Sequence, residues 1–444
     1  MNQKEIDDLI IKKDVTVGII GLGYVGLPLA LRFSSVGFKT IGIDIDLEKI
    51  NNINHGKSYL SHINENDIIK GLNEGFRVYS NFDKIKETNI IIICVPTPLK
   101  SDKMPDLSFI GNTMKSLNPF FKHNQLLILE STTYPGATEE EIVGYIDKMN
   151  NYAGSENREL NIGENFFVGY SPEREDPGNN VYSIQNIPKI VSGHTARCAT
   201  LTQLLYDQIT NKTVMVSSTR VAEMVKIVEN TYRSINIGLV NELKMIADKI
   251  NIDIYEVIEA ASTKPFGFHP HYPGPGLGGH CIPIDPYFLS WKANQFGVKA
   301  KFVELAGEIN TKIIDYIIEK TISSLKMNNK NIKKSKILIL GLSYKKNIND
   351  LRESPSLELI DKLKNKKNAS VHYSDPFFSR IPKTRKYDLN MKSVKISSDA
   401  INKYDVVILM TDHDNFDYSK IKKNSKILID TRGKYKVGEN VIRA

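Results

Sequence analysis

Apolar residues recur along this chain in two rhythms. Short unbroken runs, VTVGII at 15–20, NIIIICV at 89–95, QLLILES at 125–131 and NFFVGYS at 165–171, are bounded by polar or glycine-containing stretches. Such runs read as strands. TIGID, ending at Asp44, adds another, and between it and the first run Leu27, Leu29, Ala30 and Phe33 follow a helical pattern. Strands alternating with helices predict a parallel, doubly wound sheet.

From Arg220 to Ile250 the rhythm changes. Val221, Met224, Val228, Ile235, Leu239, Leu243, Ile246 and Ile250 recur mostly three or four apart, without proline and with a single glycine. The pattern predicts one long amphipathic helix, or two joined end to end. Its apolar stripe reads as domain core or as a dimer face rather than as a ligand box. Helical patterning persists to about Lys326, interrupted by a Gly/Pro loop over 265–286.

The cluster Lys330–Lys336 reads as a solvated linker, after which the first rhythm returns. KILILGLSYKKN (336–347) parallels VTVGIIGLGYVG, VHYSDP (371–376) parallels TIGIDID, DVVILMTD (405–412) parallels NIIIICVP, and a final strand-like KILIDTRG follows. The second copy lacks the glycine spacing of the first. The expected architecture is α/β: two Rossmann-like doubly wound domains joined by a central helical domain. The boundaries fall at 1–215, 216–326 and 327–444, in keeping with the roughly three domains that 444 residues suggest.

Composition narrows the function classes. Hydrophobic content of 41% and charged content of 25% are ordinary for a soluble globular protein. The longest apolar run, Ile90–Val95, is far too short to span a bilayer, and MNQKEIDDLIIKKD is unlike a secretory signal. Three cysteines, Cys94, Cys198 and Cys281, read as free thiols of a reducing cytoplasm. Net charge is +8, but the lysines are scattered, so neither nucleic acid nor membrane is expected as a partner. A basic balance suits a small anionic ligand such as a nucleotide.

Gly21-Leu-Gly23-Tyr24-Val25-Gly26 fits GxGxxG directly after a strand and at the start of a helix. The first glycine makes the tight turn, the second admits a pyrophosphate, and the third lets helix and strand pack closely. Asp44 ends the next strand 18 residues beyond Gly26. Its carboxylate can accept both ribose hydroxyls and would repel a 2′-phosphate, so the expected cofactor is NAD rather than NADP.

Other candidates have weaker local signals. Thr97 of CVPTP and Thr132 of ESTTYPG lie outside strand ends, where open parallel sheets bind ligands, yet loop threonines are common. KIVEN places Lys226 and Asn230 at i and i+4, with Arg233 one turn on. They form either a solvated helix face or, beside the dinucleotide domain, a pair able to polarise an alcohol or hold an oxyanion. In SPERE, Glu173 can serve as a buried base and Arg174 can grip phosphate, or the two can belong to a surface ion pair.

GPGLGGHCIPIDPYF, Gly274–Phe288, sets Cys281 among glycines and prolines with Asp285 four residues on. Three readings stand side by side: a small buried hydrophobe, a metal ligand beside His269, His271 and His280, or a nucleophilic thiolate. The adjacency of His280 and Cys281 suits zinc poorly, and no metal is expected.

With these motifs assembled, the chain resembles the UDP-glucose/GDP-mannose dehydrogenase family, and within it the bacterial UDP-N-acetylglucosamine 6-dehydrogenases. The likeness covers nearly the whole length: GLGYVGLP, CVPTP, ESTTYPGAT, GYSPEREDPG, AEMVKIVENTYRSINI, PGPGLGGHCIPIDP, SYKKNINDLRESPSLEL and DTRG. It implies a cytoplasmic NAD-dependent oxidoreductase, active as a homo-oligomer, expected to be a dimer, that serves surface polysaccharide (capsule or O-antigen) biosynthesis. The sugar C6 alcohol passes in two steps to a carboxylate through a Cys281 thiohemiacetal and thioester.

Carried over residue by residue, the likeness makes Lys226 and Asn230 oxyanion stabilisers, and gives Asp285 and Thr132 the orientation of protons and water. Glu173 becomes the base for hydrolysis. Tyr24, Val25, Asp44, Lys49, Pro96, Thr97, Thr132 and, from the C-terminal domain, Arg352 become cofactor contacts. Lys345 and Arg432 hold the UDP-sugar, joined by Glu173, Arg174, Lys226, Asn230, Arg233 and Gly278.

Many UDP-glucose enzymes of this family carry Gly-Gly-Ser-Cys and a lysine just before the aspartate. Gly-Gly-His-Cys and Ile284 stand here instead, and resemble the N-acetylhexosamine branch. IPIDPY favours UDP-GlcNAc over UDP-GalNAc and UDP-ManNAc. A single-step hydroxyacid dehydrogenase, which needs no cysteine, and a catalytically silent nucleotide-sugar sensor are the rival readings.

Overall fold

The computed structural model describes residues 3–60, 62–151, 159–175, 181–279 and 281–444. Its backbone forms two compact units, Met1–Glu229 with Tyr287–Val298, and Asn230–Pro286 with Lys299–Ala444.

The first unit is built on eight strands: β1 (Thr16–Ile20), β2 (Lys39–Ile43), β3 (Phe76–Tyr79), β4 (Ile90–Ile93), β5 (Gln125–Leu129), β6 (Phe166–Tyr170), β7 (Lys189–Gly193) and β8 (Thr213–Met215). Their order is β3-β2-β1-β4-β5-β6-β7-β8. All neighbours from β3 to β6 run parallel; β7 is antiparallel to β6, and β8 parallel to β7. The 3-2-1-4-5-6 portion is the Rossmann order. Because side chains alternate across a strand, Val17, Ile19, Ile90, Ile92, Leu126 and Ile128 enter one core, while Ile20, Ile91, Ile93, Leu127 and Leu129 enter the other. This two-sided burial explains the unbroken apolar runs.

The second unit holds five parallel strands, β9 (Lys336–Leu340), β10 (Ser370–Ser374), β11 (Val406–Leu409), β12 (Leu428–Asp430) and β13 (Val441–Arg443). Their order, β10-β9-β11-β12-β13, is the five-stranded doubly wound arrangement. The expected fold class is therefore present, with the second sheet the shorter. The lysine-rich stretch before it keeps Lys333, Lys334 and Lys336 exposed, as a solvated segment does, but it is short. A single turn, Ile332–Lys334, leads straight into β9. The Asp405 carboxylate takes the Lys330 ammonium on one oxygen and the Lys336 N–H, at 2.8 Å, on the other.

Thr219–Lys249 is one unbroken helix, which settles the choice between one helix and two. Along it Val221, Met224, Val228, Leu239, Leu243, Ile246 and Ile250 are exposed in the single chain, so these positions are not core. Further helices follow at Ile254–Ser262, Asp285–Gln295 and Lys301–Met327. Among the described residues no helix is long and apolar enough to cross a membrane.

Candidate active site

In the first unit the chain leaves β1 through Gly21, whose φ of +90° belongs to the left-handed region. A Cβ there would lie 2.8 Å from the Cys94 carbonyl oxygen, and one on Gly26 would lie 1.9 Å from that of Gly21. Gly23, by contrast, has nothing within 4 Å on its Cβ side, which leaves room for a phosphate. The helix Gly26–Ser35 has no side-chain cap; the Leu27 and Leu29 N–H groups go to the Gly23 and Val25 carbonyls at 3.2 Å, and the helix dipole still favours an anion at this end. Tyr24, within the motif, stacks on His62 with ring centroids 5.4 Å apart.

Asp44 closes the other side of the loop. Its Oδ2 accepts the Leu22 N–H at 2.8 Å and lies 3.0 Å from Lys49 Nζ, while Oδ1 accepts the Asp46 N–H at 2.9 Å. A carboxylate has about four acceptor positions. Among the described residues three are engaged, so one position remains for a ribose hydroxyl rather than the expected two; loop, helix end and acid together still fit a dinucleotide.

The loops after β4 and β5 are stitched together. Thr97 Oγ1 donates to the Thr132 carbonyl at 2.6 Å, and Ser131 Oγ donates to that of Val95 at 2.7 Å. Two threonines that were weak signals separately thus meet, beside an exposed Pro96. Glu223 fixes the far end of this segment. Its carboxylate accepts the Gly136 N–H at 2.5 Å, the Thr138 N–H at 2.7 Å and the Thr138 hydroxyl at 2.6 Å. Burial pushes Glu223 up to about 7, against the pull of those hydrogen bonds. Sequence reasoning missed it; the only signal was its place three residues before Lys226.

After β6, Lys226 Nζ donates to the Glu173 carbonyl at 2.6 Å and lies 3.4 Å from its Oε2. Both side chains are largely buried. Arg174 is committed elsewhere, to Glu229 at 2.6 Å and to the Pro188 carbonyl at 2.6 Å. Glu175, which sequence reasoning passed over, is pushed up to about 8 by burial and then by Glu173. It lines a narrow cleft with Val25, Leu29, Glu130, Glu173 and Lys189. There Glu130 accepts from the Tyr206 hydroxyl at 2.5 Å and pairs with Lys189 at 2.6 Å. Cys94, partly exposed, has its thiol pushed well up by burial and by Glu130.

In the second unit Cys281 is partly exposed and forms no disulfide. Its carbonyl accepts the N–H groups of Ile284 at 3.0 Å and Asp285 at 2.8 Å, a turn that opens the helix Asp285–Gln295. His280 lies outside the described residues, as do Asp176–Asn180 of the SPERE segment's continuation. Asp285 is 1% exposed and its Oδ2 accepts from Asn230 Nδ2 at 2.5 Å. Arg233 is exposed on the same helix as Asn230.

The glycine loop before Cys281 gathers the remaining candidates. A Cβ on Gly278 would lie 2.3 Å from that of Tyr344, next to Lys345, and the Gly279 N–H donates to the Arg352 carbonyl at 2.8 Å. Arg352 itself forks onto Asp350, with Nε 2.9 Å and Nη2 2.7 Å from Oδ2. Arg432 Nη1 lies 3.4 Å from where a Gly274 Cβ would sit, and its Nε donates to the Met410 carbonyl.

Two further residues escaped the sequence reading because polar groups on a helix read as solvated. Asn241 Oδ1 accepts the Gly274 N–H at 3.0 Å while its amide donates to Asn310. Lys244 is buried, and its Nζ has no hydrogen-bond partner among the described residues.

Comparison with known proteins matches the chain in three stretches. Profiles of the UDP-glucose/GDP-mannose dehydrogenase family match residues 15–210 (NAD binding domain), 220–312 (central domain) and 338–437 (UDP binding domain). The chain is 34% identical over 404 residues to UDP-N-acetyl-D-glucosamine 6-dehydrogenase of Salmonella typhi, covering 91% of each. It is 32% identical over 427 residues to the enzyme of that name from Pseudomonas aeruginosa, covering 95% of this chain and 97% of the other. The solved structure of UDP-D-ManNAc dehydrogenase from Pyrococcus horikoshii superimposes with a TM-score of 0.84 at 30% identity, over 96% of this chain and 98% of that one.

Proposed function

Since the chain belongs to the UDP-glucose/GDP-mannose dehydrogenase family, with NAD-binding, central and UDP-binding portions, we propose that it oxidises the C6 hydroxyl of a UDP-N-acetylhexosamine, UDP-GlcNAc foremost, to the uronic acid. Residues 1–215 bind NAD, 216–326 carry the cysteine loop, and 327–444 hold the nucleotide sugar. Bound NAD supplies the oxidant and takes one hydride from C6 in each of two rounds.

The chain's own residues do the rest. Lys226 and Asn230 hold the oxyanion that develops as the alcohol becomes an aldehyde. The Cys281 thiolate then adds to the carbonyl carbon, forming a C–S bond and a thiohemiacetal. Loss of the second hydride leaves a thioester. Water, deprotonated through Glu173, adds to it; the C–S bond breaks, the uronic acid departs and the thiolate is restored. Asp285 and Thr132 orient the proton and the water.

One observation carries this reading: Cys281 is partly exposed on a turn that opens a helix with Asp285 as its first residue. Partial exposure gives the sulfur access to a bound sugar, as a nucleophile requires. Support for an N-acetylhexosamine comes from the relatives' names and from the buried Ile284 where UDP-glucose enzymes of the family carry a lysine. UDP-ManNAc and UDP-GalNAc are the alternatives. The product would serve surface polysaccharide synthesis, and the exposed stripe Val221–Ile250 would pair with a second copy; a monomer by light scattering contradicts that pairing.

The test is a steady-state panel of UDP-sugars with NAD. UDP-GlcNAc is expected to give the highest kcat/KM and two NADH per sugar. Cys281→Ser is expected to form acid at least ~1,000-fold more slowly. One NADH per sugar, or full turnover by Cys281→Ser, defeats the covalent route.

A further inference from the structure

The two sheets repeat one hydrogen bond. Asp44 follows β2 and accepts the Leu22 N–H at 2.8 Å; Asp375 follows β10 and accepts the Leu342 N–H at 2.6 Å. Gly341 has φ +85°, as Gly21 has +90°. What differs is the rest of the acid's surroundings. Asp375 Oδ1 accepts the N–H groups of Phe377 at 2.8 Å and Phe378 at 3.1 Å, and Oδ2 also meets His413 Nε2 at 3.2 Å. All four acceptor positions are filled, and the side chains of Asp375 and His413 are fully buried. No position remains for a ribose hydroxyl.

His413 has a second partner. Its Nδ1 accepts the Asn347 N–H at 2.9 Å, so the ring proton sits on Nε2 and is donated to Asp375. Asn347 has a left-handed φ of +61°, and its amide exchanges two more hydrogen bonds with Asp414, at 2.5 and 3.0 Å. The turn Ser343–Asn347 is thus clipped at its far end, while Tyr344 N–H bonds to the Asp350 carbonyl at 3.2 Å and its ring backs Gly278 and Gly279. Lys345 lies between these anchors.

We propose that His413 is a positioning residue for nucleotide-sugar binding: it relays the fixed carboxylate of Asp375 to the Asn347 backbone and so holds Lys345 toward the substrate's diphosphate. This rests on the reading that Lys345 contacts the nucleotide sugar.

The two ring nitrogens can be tested separately. The amide oxygen of Asn overlays Nδ1, whereas the amide of Gln reaches toward Nε2. His413→Gln is expected to raise KM for the nucleotide sugar about tenfold, the worth of one buried hydrogen bond, with kcat and KM for NAD within about twofold. His413→Asn keeps the acceptor for Asn347 and is expected to stay within about threefold of the wild-type KM. Asp414→Ala, on the surface, removes the carboxylate half of the other clip and is expected to move the same KM about threefold even if His413→Gln is not recovered folded.

Lys345→Met tests the underlying reading. If it leaves KM for the nucleotide sugar unchanged, that reading fails and this inference with it. If it raises KM while the His413 and Asp414 variants do not, only the positioning role falls. Equal losses in kcat and both KM values for His413→Gln and His413→Asn, in step with Tm, would make His413 a packing residue and overturn the proposal.

Discussion

Asn230 Nδ2 donates to Asp285 Oδ2 at 2.5 Å, joining the long helix to the residue that begins the helix after the cysteine loop. Asp285 is almost wholly buried, and a buried carboxylate without a partner would be costly. The amide supplies that partner without neutralising the charge, which leaves the acid able to accept a proton.

Asp285→Asn separates these roles. The new amide oxygen still accepts from Asn230, so unfolding free energy is expected to change by only about 1 kcal/mol. The ability to take a proton is lost, and kcat is expected to fall about 100-fold. Urea unfolding and steady-state rates measured on one preparation check both; a normal kcat removes Asp285 from proton transfer.

Glu223→Gln replaces one acceptor oxygen by an NH2 group facing a backbone N–H of Gly136 or Thr138. Leaving that donor unpaired is expected to cost about 1–3 kcal/mol. Urea unfolding checks it, and an unchanged midpoint would mean that the segment after Thr132 is held by other contacts.

Lys244 makes a pH prediction. Burial lowers its pKa to about 7 from 10.5, with Asp430 opposing the shift and Arg443 and Arg432 adding to it. Between those values the folded state binds fewer protons than the unfolded one, so this residue makes stability rise with pH from about 7 toward 10.5. Below about 7 its penalty is fully present. Lys244→Met is expected to raise Tm at neutral pH and to flatten that rise; a lower Tm would show that the ammonium has a partner in solution.

Much of the fold was legible because it depends on local rhythm. The unbroken hydrophobicity of runs such as Ile90–Val95 marked strands, and the structure accounts for it by burial in two cores; the spacing from Val221 to Ile250 marked a long helical stretch, one helix or two. The strands β3, β7 and β8 escaped because polar residues such as Arg77, Lys189 and Thr213 break their apolar pattern. Gly21–Gly26 with Asp44 was readable since turn, helix end and acid lie within one βαβ unit.

The polar supports were not readable. Glu223, Asn241 and Lys244 sit on the long helix as ordinary hydrophilic positions, and only their partners distinguish them: Gly136 and Thr138, Gly274, and for Lys244 none among the described residues. The same holds for Arg174, whose guanidinium goes to Glu229 and Pro188. Periodicity reports which face is apolar; it carries nothing about which carbonyl or amide lies opposite a charge.

The saturated carboxylate of Asp375 has a consequence for how related sheets share one chain. Two copies of a nucleotide-reading scaffold invite cross-talk, since the same ligand could lodge in either. Filling the last acceptor of one copy with an imidazole makes the two halves chemically unequal, so a ribose hydroxyl finds an acceptor on Asp44 and none on Asp375. That asymmetry lets the second copy specialise in a different nucleotide while keeping the turn geometry it shares with the first.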